Sequence, residues 1–116
     1  HAAGDTVLVS FVRRVQGTLQ PGSLLGRMGG EEFAIMIPNS QIRDAVAEAE
    51  KIRQSVCCEP VAAGDGKLVR VTASLGVVAV EHDNAACLDT LLAEADRLCY
   101  QAKERGRNRV EHCGAA

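Results

Sequence analysis

Apolar positions along this chain change their spacing, and each change marks an element. Val7, Leu8, Phe11, Val12, Val15 and Leu19 recur at helical offsets and predict a helix over residues 5–19 with one buried face. Pro21-Gly22 ends it. Leu24 through Met28 then reads as a strand. Its partner is Phe33-Ala34-Ile35-Met36-Ile37, which is apolar on both alternating faces and is predicted to be fully buried. Gly29 and Gly30 permit positive φ and would close a tight hairpin between the two. Pro38-Asn39-Ser40 stops the second strand and can cap a new helix. That helix carries the stripe Ile42, Ala45, Val46, Ala49, Ile52 and Val56. Arg43, Asp44, Glu48, Glu50, Lys51 and Arg53 fall mostly on its other faces. Ala62-Ala63-Gly64-Asp65-Gly66 is a turn, and the valine-rich residues 67–80 read as one long strand. Asp83-Asn84 breaks the chain again. Leu88, Leu91, Leu92, Ala95, Leu98, Cys99 and Ala102 predict a last helix, with Gly106 suited to its C-terminus. A short strand at 108–111 closes the chain. The predicted order, α-β-β-α-β-α-β, is that of an α+β fold with a sheet covered by helices.

Composition narrows this picture. At 116 residues the chain is one domain. Hydrophobic residues make up 47% and aromatics 3%, so the core must be aliphatic. A formal net charge of −2, with charges interspersed, argues against a nucleic-acid partner. No apolar stretch approaches the roughly 18 residues of a membrane span. The five cysteines are an odd number without metal-site spacing, and vicinal Cys57-Cys58 makes a poor disulfide or zinc framework. Reduced thiols in a cytoplasmic setting are expected.

The hairpin corner Gly29-Gly30-Glu31-Glu32 holds the densest candidate chemistry. Two adjacent carboxylates repel each other, which suits a plain turn badly. They suit a divalent cation well, because its charge offsets the repulsion. Bare glycines also let a ligand approach the backbone. The same pair would equally serve as two solvated acids at an exposed tip.

Gly29-Gly30-Glu31-Glu32-Phe33 resembles the Gly-Gly-(Asp/Glu)-Glu-Phe motif of the GGDEF domain, the diguanylate cyclase family. Three further segments match in order. His1-Ala2-Ala3-Gly4-Asp5 resembles the family's His-x-x-Gly-Asp. Residues 71–77, Val-Thr-Ala-Ser-Leu-Gly-Val, resemble its Val-Thr-x-Ser-(Ile/Leu)-Gly-Val strand. Residues 95–110 resemble its closing helix and strand nearly throughout. The resemblance covers essentially the whole chain, residues 1–116, as the C-terminal two-thirds of such a domain. It implies a palm-like or ferredoxin-like nucleotide cyclase sheet. The family's first, central strand carries an Asp-x-Asp-x-Phe-Lys-x-x-Asn-Asp segment ahead of the histidine, and this chain begins at the histidine. A metal-binding aspartate and a guanine-binding asparagine are expected in that strand, and a sheet without it should be marginal alone.

The resemblance implies condensation of two GTP into cyclic di-GMP, a bacterial second messenger, with release of pyrophosphate. Mg2+ (or Mn2+) would neutralise phosphate charge and activate the attacking 3′-hydroxyl. Glu31 would be a metal ligand able to help deprotonate that hydroxyl, and Glu32 would complete the carboxylate cluster. Gly29 and Gly30 would let the nucleotide lie against the turn. Asp5 matches the guanine-reading aspartate; it would serve equally as the N-cap of the first helix. Lys103 and Arg107 match the triphosphate-binding pair, and would also suit the helix C-terminus as solvated charges. His1, Ser74, Gly76, Asp96 and Tyr100 read as structural. Gln20-Pro21-Gly22-Ser23 stands in register with an Arg-x-x-Asp product-binding motif and lacks both charges. Arg53 resembles a secondary arginine of that product site. Implied partners are GTP, a second copy of the domain face to face with the first, and a sensor or phosphodiesterase domain in the parent chain. That parent would be cytoplasmic, or the cytoplasmic part of a membrane-anchored protein. The 116-residue chain alone is expected to be inactive. A regulatory module that binds GTP or cyclic di-GMP without turnover is the alternative, and a ligand-free dimerisation fragment is a third.

Overall fold

The computed structural model describes residues 2–38, 40–80 and 87–113. The elements follow in the order α1 (Ala2–Thr18), β1 (Leu24–Gly29), β2 (Glu32–Met36), α2 (Ile42–Cys57), β3 (Val61–Ala62), β4 (Leu68–Val69), β5 (Ser74–Val77), α3 (Leu88–Glu104) and β6 (Arg109–His112). Among the described residues the strands form three separate two-stranded ladders. β1–β2 and β3–β4 are antiparallel, and β5–β6 is parallel.

The centre of the molecule is where α1 and α2 pack together. Val15, Ile52 and Val56 are almost completely buried there. Burying each such side chain contributes roughly 1.5–3 kcal/mol. Leu25 of β1, Ile35 of β2 and Leu75 of β5 pack against the same three residues, so both ladders lie over one helix pair. Phe11 of α1 and Phe33 of β2 extend the contact, with ring centroids 5.2 Å apart. α3 covers β5 and β6, burying Leu98 and Ala102. Gly76 explains how closely: a Cβ there would stand 2.1 Å from the Ala95 carbonyl oxygen and 2.5 Å from the Cys99 amide nitrogen. Only glycine lets the helix backbone rest on the strand at that point.

Several expectations need correction. The first helix begins at Ala2, so Asp5 lies inside its first turn and does not cap it. Asp5 still sits where a carboxylate favours the helix dipole. α2 begins at Ile42 with Gln41 at the cap, where Asp44 Oδ2 accepts from the Gln41 amide at 3.4 Å; Asn39 lies outside the described residues. Glu48 is buried, not on a solvated face. Position 48 is three residues after Ala45 and four before Ile52, so it falls on the apolar stripe. β2 is not fully buried: Met36 is 54% exposed, since only the Phe33–Ile35 side meets the helices. Residues 67–80 are not one strand. A short β3–β4 hairpin occupies the start, turned at Gly66 (φ 84°), and β5 begins only at Ser74. Val71 and Ala73 still face the core while Thr72 is exposed, so burial alternates where no ladder forms. The Asp83-Asn84 break and His1 lie outside the described residues. All five cysteines are free thiols.

Candidate functional site

The β1–β2 tip is built by a register shift. Arg27 pairs with Phe33 and Gly29 with Glu32, which leaves Met28 as an extra residue. Such a bulge re-aims the end of a strand. Gly30 takes φ 53°, the left-handed region that glycine adopts without steric cost. Nothing stands within 4 Å of the place a Cβ would occupy on Gly29 or Gly30, so the turn borders open space. Glu31 sits in the turn and Glu32 opens β2, and both are exposed. Arg27 fixes this geometry: its Nε and Nη2 donate to the Gly30 carbonyl at 2.9 and 2.7 Å. Sequence reasoning missed this residue. The signal was present, because Arg27 is the one charge on the alternating face that otherwise carries Leu25, Phe33 and Ile35.

The second component is the end of α3. Lys103 lies exposed in its last turn. Gly106 (φ 122°), Arg107 (φ 64°) and Asn108 (φ 49°) then reverse the chain into β6. The Arg107 amide donates to the Ala102 carbonyl at 2.9 Å, closing the helix end. The side chain of Arg107 is exposed.

Cys99 reports how these parts meet. Its thiol pKa is pushed up, chiefly by burial; Lys103 opposes the shift, and Asp96 and Glu32 add to it. Glu32 of the hairpin and Lys103 of α3 therefore act on one thiol, which also donates to the Ser74 carbonyl at 3.3 Å. Asp5 lines a hollow of about 490 Å³ with Thr6, Ser10, Arg13 and Pro60. A separate open cleft of about 460 Å³ runs between α1 and the hairpin, lined by Leu8, Val12, Gln16, Leu25, Arg27 and Phe33. Its walls are mostly apolar, with two arginines, Arg13 and Arg27, on its lining, and Arg13 also borders the first hollow.

A metal-binding role can be tested against the donors present. Among the described residues no group of three histidine, cysteine or carboxylate side chains could hold a metal ion. Glu31 and Glu32 supply two carboxylates side by side. Mg2+ is commonly held by one or two carboxylates together with substrate phosphates and water, so the pair suits a metal that arrives with a nucleotide.

Where the resemblance implies a product-binding motif, the side chains are engaged with each other. Gln20 Nε2 donates to Glu48 Oε2 at 3.3 Å, and the Ser23 amide donates to the Gln20 carbonyl at 3.1 Å. Ser23 Oγ and Glu48 Oε1 are buried without hydrogen-bond partners among the described residues. Arg53, on α2, spends Nε and Nη2 on Glu50 and donates from Nη1 to Asn108 Oδ1 at 2.9 Å.

Comparison with known proteins gives one consistent result. The family model described as diguanylate cyclase, GGDEF domain, matches residues 1–109. Diguanylate cyclase A of Treponema denticola is 38% identical over 110 residues, which is 95% of this chain and 29% of that protein. Diguanylate cyclase DgcM of Escherichia coli K12 is 36% identical over 95% of this chain and 25% of its own length. The chain therefore spans under a third of either relative. Among solved structures, the GGDEF domain of YfiN (TpbB) from Pseudomonas aeruginosa superposes with a TM-score of 0.86 at 35% identity, covering 98% of this chain and 66% of that one. Diguanylate cyclase SiaD from the same organism, solved with its activator SiaC, gives a TM-score of 0.87 at 34% identity over 97% of this chain and 42% of its own.

Proposed function

The chain belongs to the diguanylate cyclase, GGDEF domain family, and on that premise we propose that within a longer protein it condenses two GTP into cyclic di-GMP with release of pyrophosphate. One observation carries the reading. Two adjacent exposed carboxylates stand on an open glycine turn.

Glu31 and Glu32 would hold Mg2+ (or Mn2+) together with the nucleotide, and the metal would supply charge neutralisation at the phosphates. The glycine turn lets the nucleotide approach the backbone, and Arg27 keeps that turn from shifting under it. Glu31 would help take up a proton from the attacking hydroxyl. Lys103 gives a point charge and Arg107 a planar fork for the triphosphate. Asp5 accepts from the N1–H and N2–H2 edge of guanine, an edge adenine lacks. Each domain holds one GTP, so two copies must meet face to face, and a sensor or phosphodiesterase domain in the parent chain would govern that meeting. Among the described residues no helix is long and apolar enough to cross a membrane; with GTP as substrate, a cytoplasmic site of action follows.

A non-catalytic regulatory role draws on one observation, that no third metal-ligating side chain joins the carboxylate pair among the described residues. It expects GTP or cyclic di-GMP to bind without turnover. The deciding experiment follows cyclic di-GMP synthesis from GTP and Mg2+ by the longer protein. Wild type should make it, Glu31→Ala and Glu32→Ala should not, and the isolated 116-residue chain should make little or none. Unchanged turnover in both variants would refute the assignment.

A further inference from the structure

The corner after α3 is unusual in one respect: Gly106, Arg107 and Asn108 all have positive φ in succession. Arginine visits that region rarely and asparagine more readily, so the surroundings must hold the corner. Two contacts do so. On one side the Arg107 amide donates to the Ala102 carbonyl at 2.9 Å. On the other, Arg53 of α2 donates from Nη1 to Asn108 Oδ1 at 2.9 Å, across 55 residues of sequence. Arg53 is itself braced, because Glu50 accepts from its Nε at 2.9 Å and pairs with Nη2. Its side chain is 19% exposed and has few ways to swing aside. Between these two anchors stands Arg107, whose guanidinium carries no hydrogen bond among the described residues. Its backbone is fixed and its side chain is available.

We propose that Arg53 is a positioning residue for Arg107: by holding Asn108 it keeps the 106–108 corner in the one conformation from which Arg107 meets the phosphates of the nucleotide. The inference rests on the cyclase reading. It also gives Arg53 a task different from product binding, since all three guanidinium nitrogens already have partners.

The test uses the longer protein with Arg53→Ala, Arg53→Lys, Asn108→Gly, Arg107→Ala and the double variant Arg53→Ala/Arg107→Ala. Asn108→Gly can still adopt the left-handed backbone and removes the acceptor, but it also frees the chain, so Arg53→Ala carries the comparison. Amide hydrogen exchange at residues 106–109 without ligand is the first readout, and KM for GTP against kcat is the second. Arg53→Ala and Asn108→Gly should each speed exchange at the corner. Each should raise KM by about fivefold to tenfold, the scale of one ordinary net hydrogen bond, with a smaller change in kcat. Arg53→Lys keeps a donor and should recover part of the loss. The double variant should be no worse than Arg107→Ala alone, because both act through one group. Unchanged exchange overturns the inference, whatever happens to GTP. Faster exchange with unchanged KM, or additive losses in the double variant, also overturns it. Failure of the cyclase reading looks different, because wild type itself would then make no cyclic di-GMP, whether or not it binds GTP.

Discussion

At the scale of single residues, Asp5 carries the sharpest chemical claim. It would select guanine by accepting hydrogen bonds, and a site built to bond a substrate group discriminates strongly against an analogue without it. In the longer protein GTP should therefore be used far better than ATP, and Asp5→Ser should erode that preference. Equal use of both nucleotides by wild type would remove Asp5 from the site. Glu50 makes a second claim, about pH. Its hydrogen bond and charge contact with Arg53 hold its carboxyl below the usual carboxylate range. A depressed folded-state value means that the unfolded chain takes up the proton first. The stabilisation is thus fully present above the ordinary carboxylate range and is lost as pH falls through the lowered value. Glu50→Gln should flatten that acid limb of the stability curve. The pair is partly exposed, so the effect should be small and should shrink further in high salt.

At the scale of elements, α1 and α2 are joined by one guanidinium as well as by their core. Arg14 Nη1 donates to the Val56 and Glu59 carbonyls at 2.7 and 2.6 Å, and Nη2 reaches the Pro60 carbonyl at 3.5 Å. The Val56 carbonyl lies in the last turn of α2, where it lacks a helical partner, and Glu59 and Pro60 follow the helix end. Arg14→Met keeps much of the stem and loses the donors. It should lower unfolding free energy by about 2 kcal/mol in denaturant titration; a loss under about 0.5 kcal/mol would make the clamp incidental. The helices were legible in sequence because each has a single apolar stripe. The strands were less so. Residues 70–73 keep an alternating burial pattern without a ladder, because alternation records which side faces the core and not who supplies the hydrogen bonds. The motif residues Glu31, Glu32, Lys103 and Arg107 were legible as types in order. The Arg53–Asn108 contact was not, since nothing in either local pattern refers to a partner so far along the chain.

At the scale of the whole molecule, feedback by product is the property most exposed to test. The corner that would hold a charged Arg-x-x-Asp grip instead holds Gln20 bonded to buried Glu48. A buried carboxylate there would repel a dinucleotide's phosphates, and Arg53 is committed elsewhere. The full domain should therefore show no tight binding of cyclic di-GMP at this place. Calorimetry decides: submicromolar binding that Gln20→Ala or Arg53→Ala abolishes would contradict the prediction. Cyclase output would then be set by assembly of two copies and not by accumulation of product.

Gly76 has a mechanical consequence. It is the fulcrum of α3, since strand and helix backbones touch there with no side chain between them to act as a cushion. The touching residues, Ala95 and Cys99, centre on position 97. Lys103 lies six residues further along, or about 9 Å at the helical rise. A tilt of roughly 5° about that point would carry the lysine by less than about 1 Å at this reach. The lever is too short for a tilt of α3 to move the Lys103 backbone far; to withdraw it, the helix would have to lift off the fulcrum and bare Leu98.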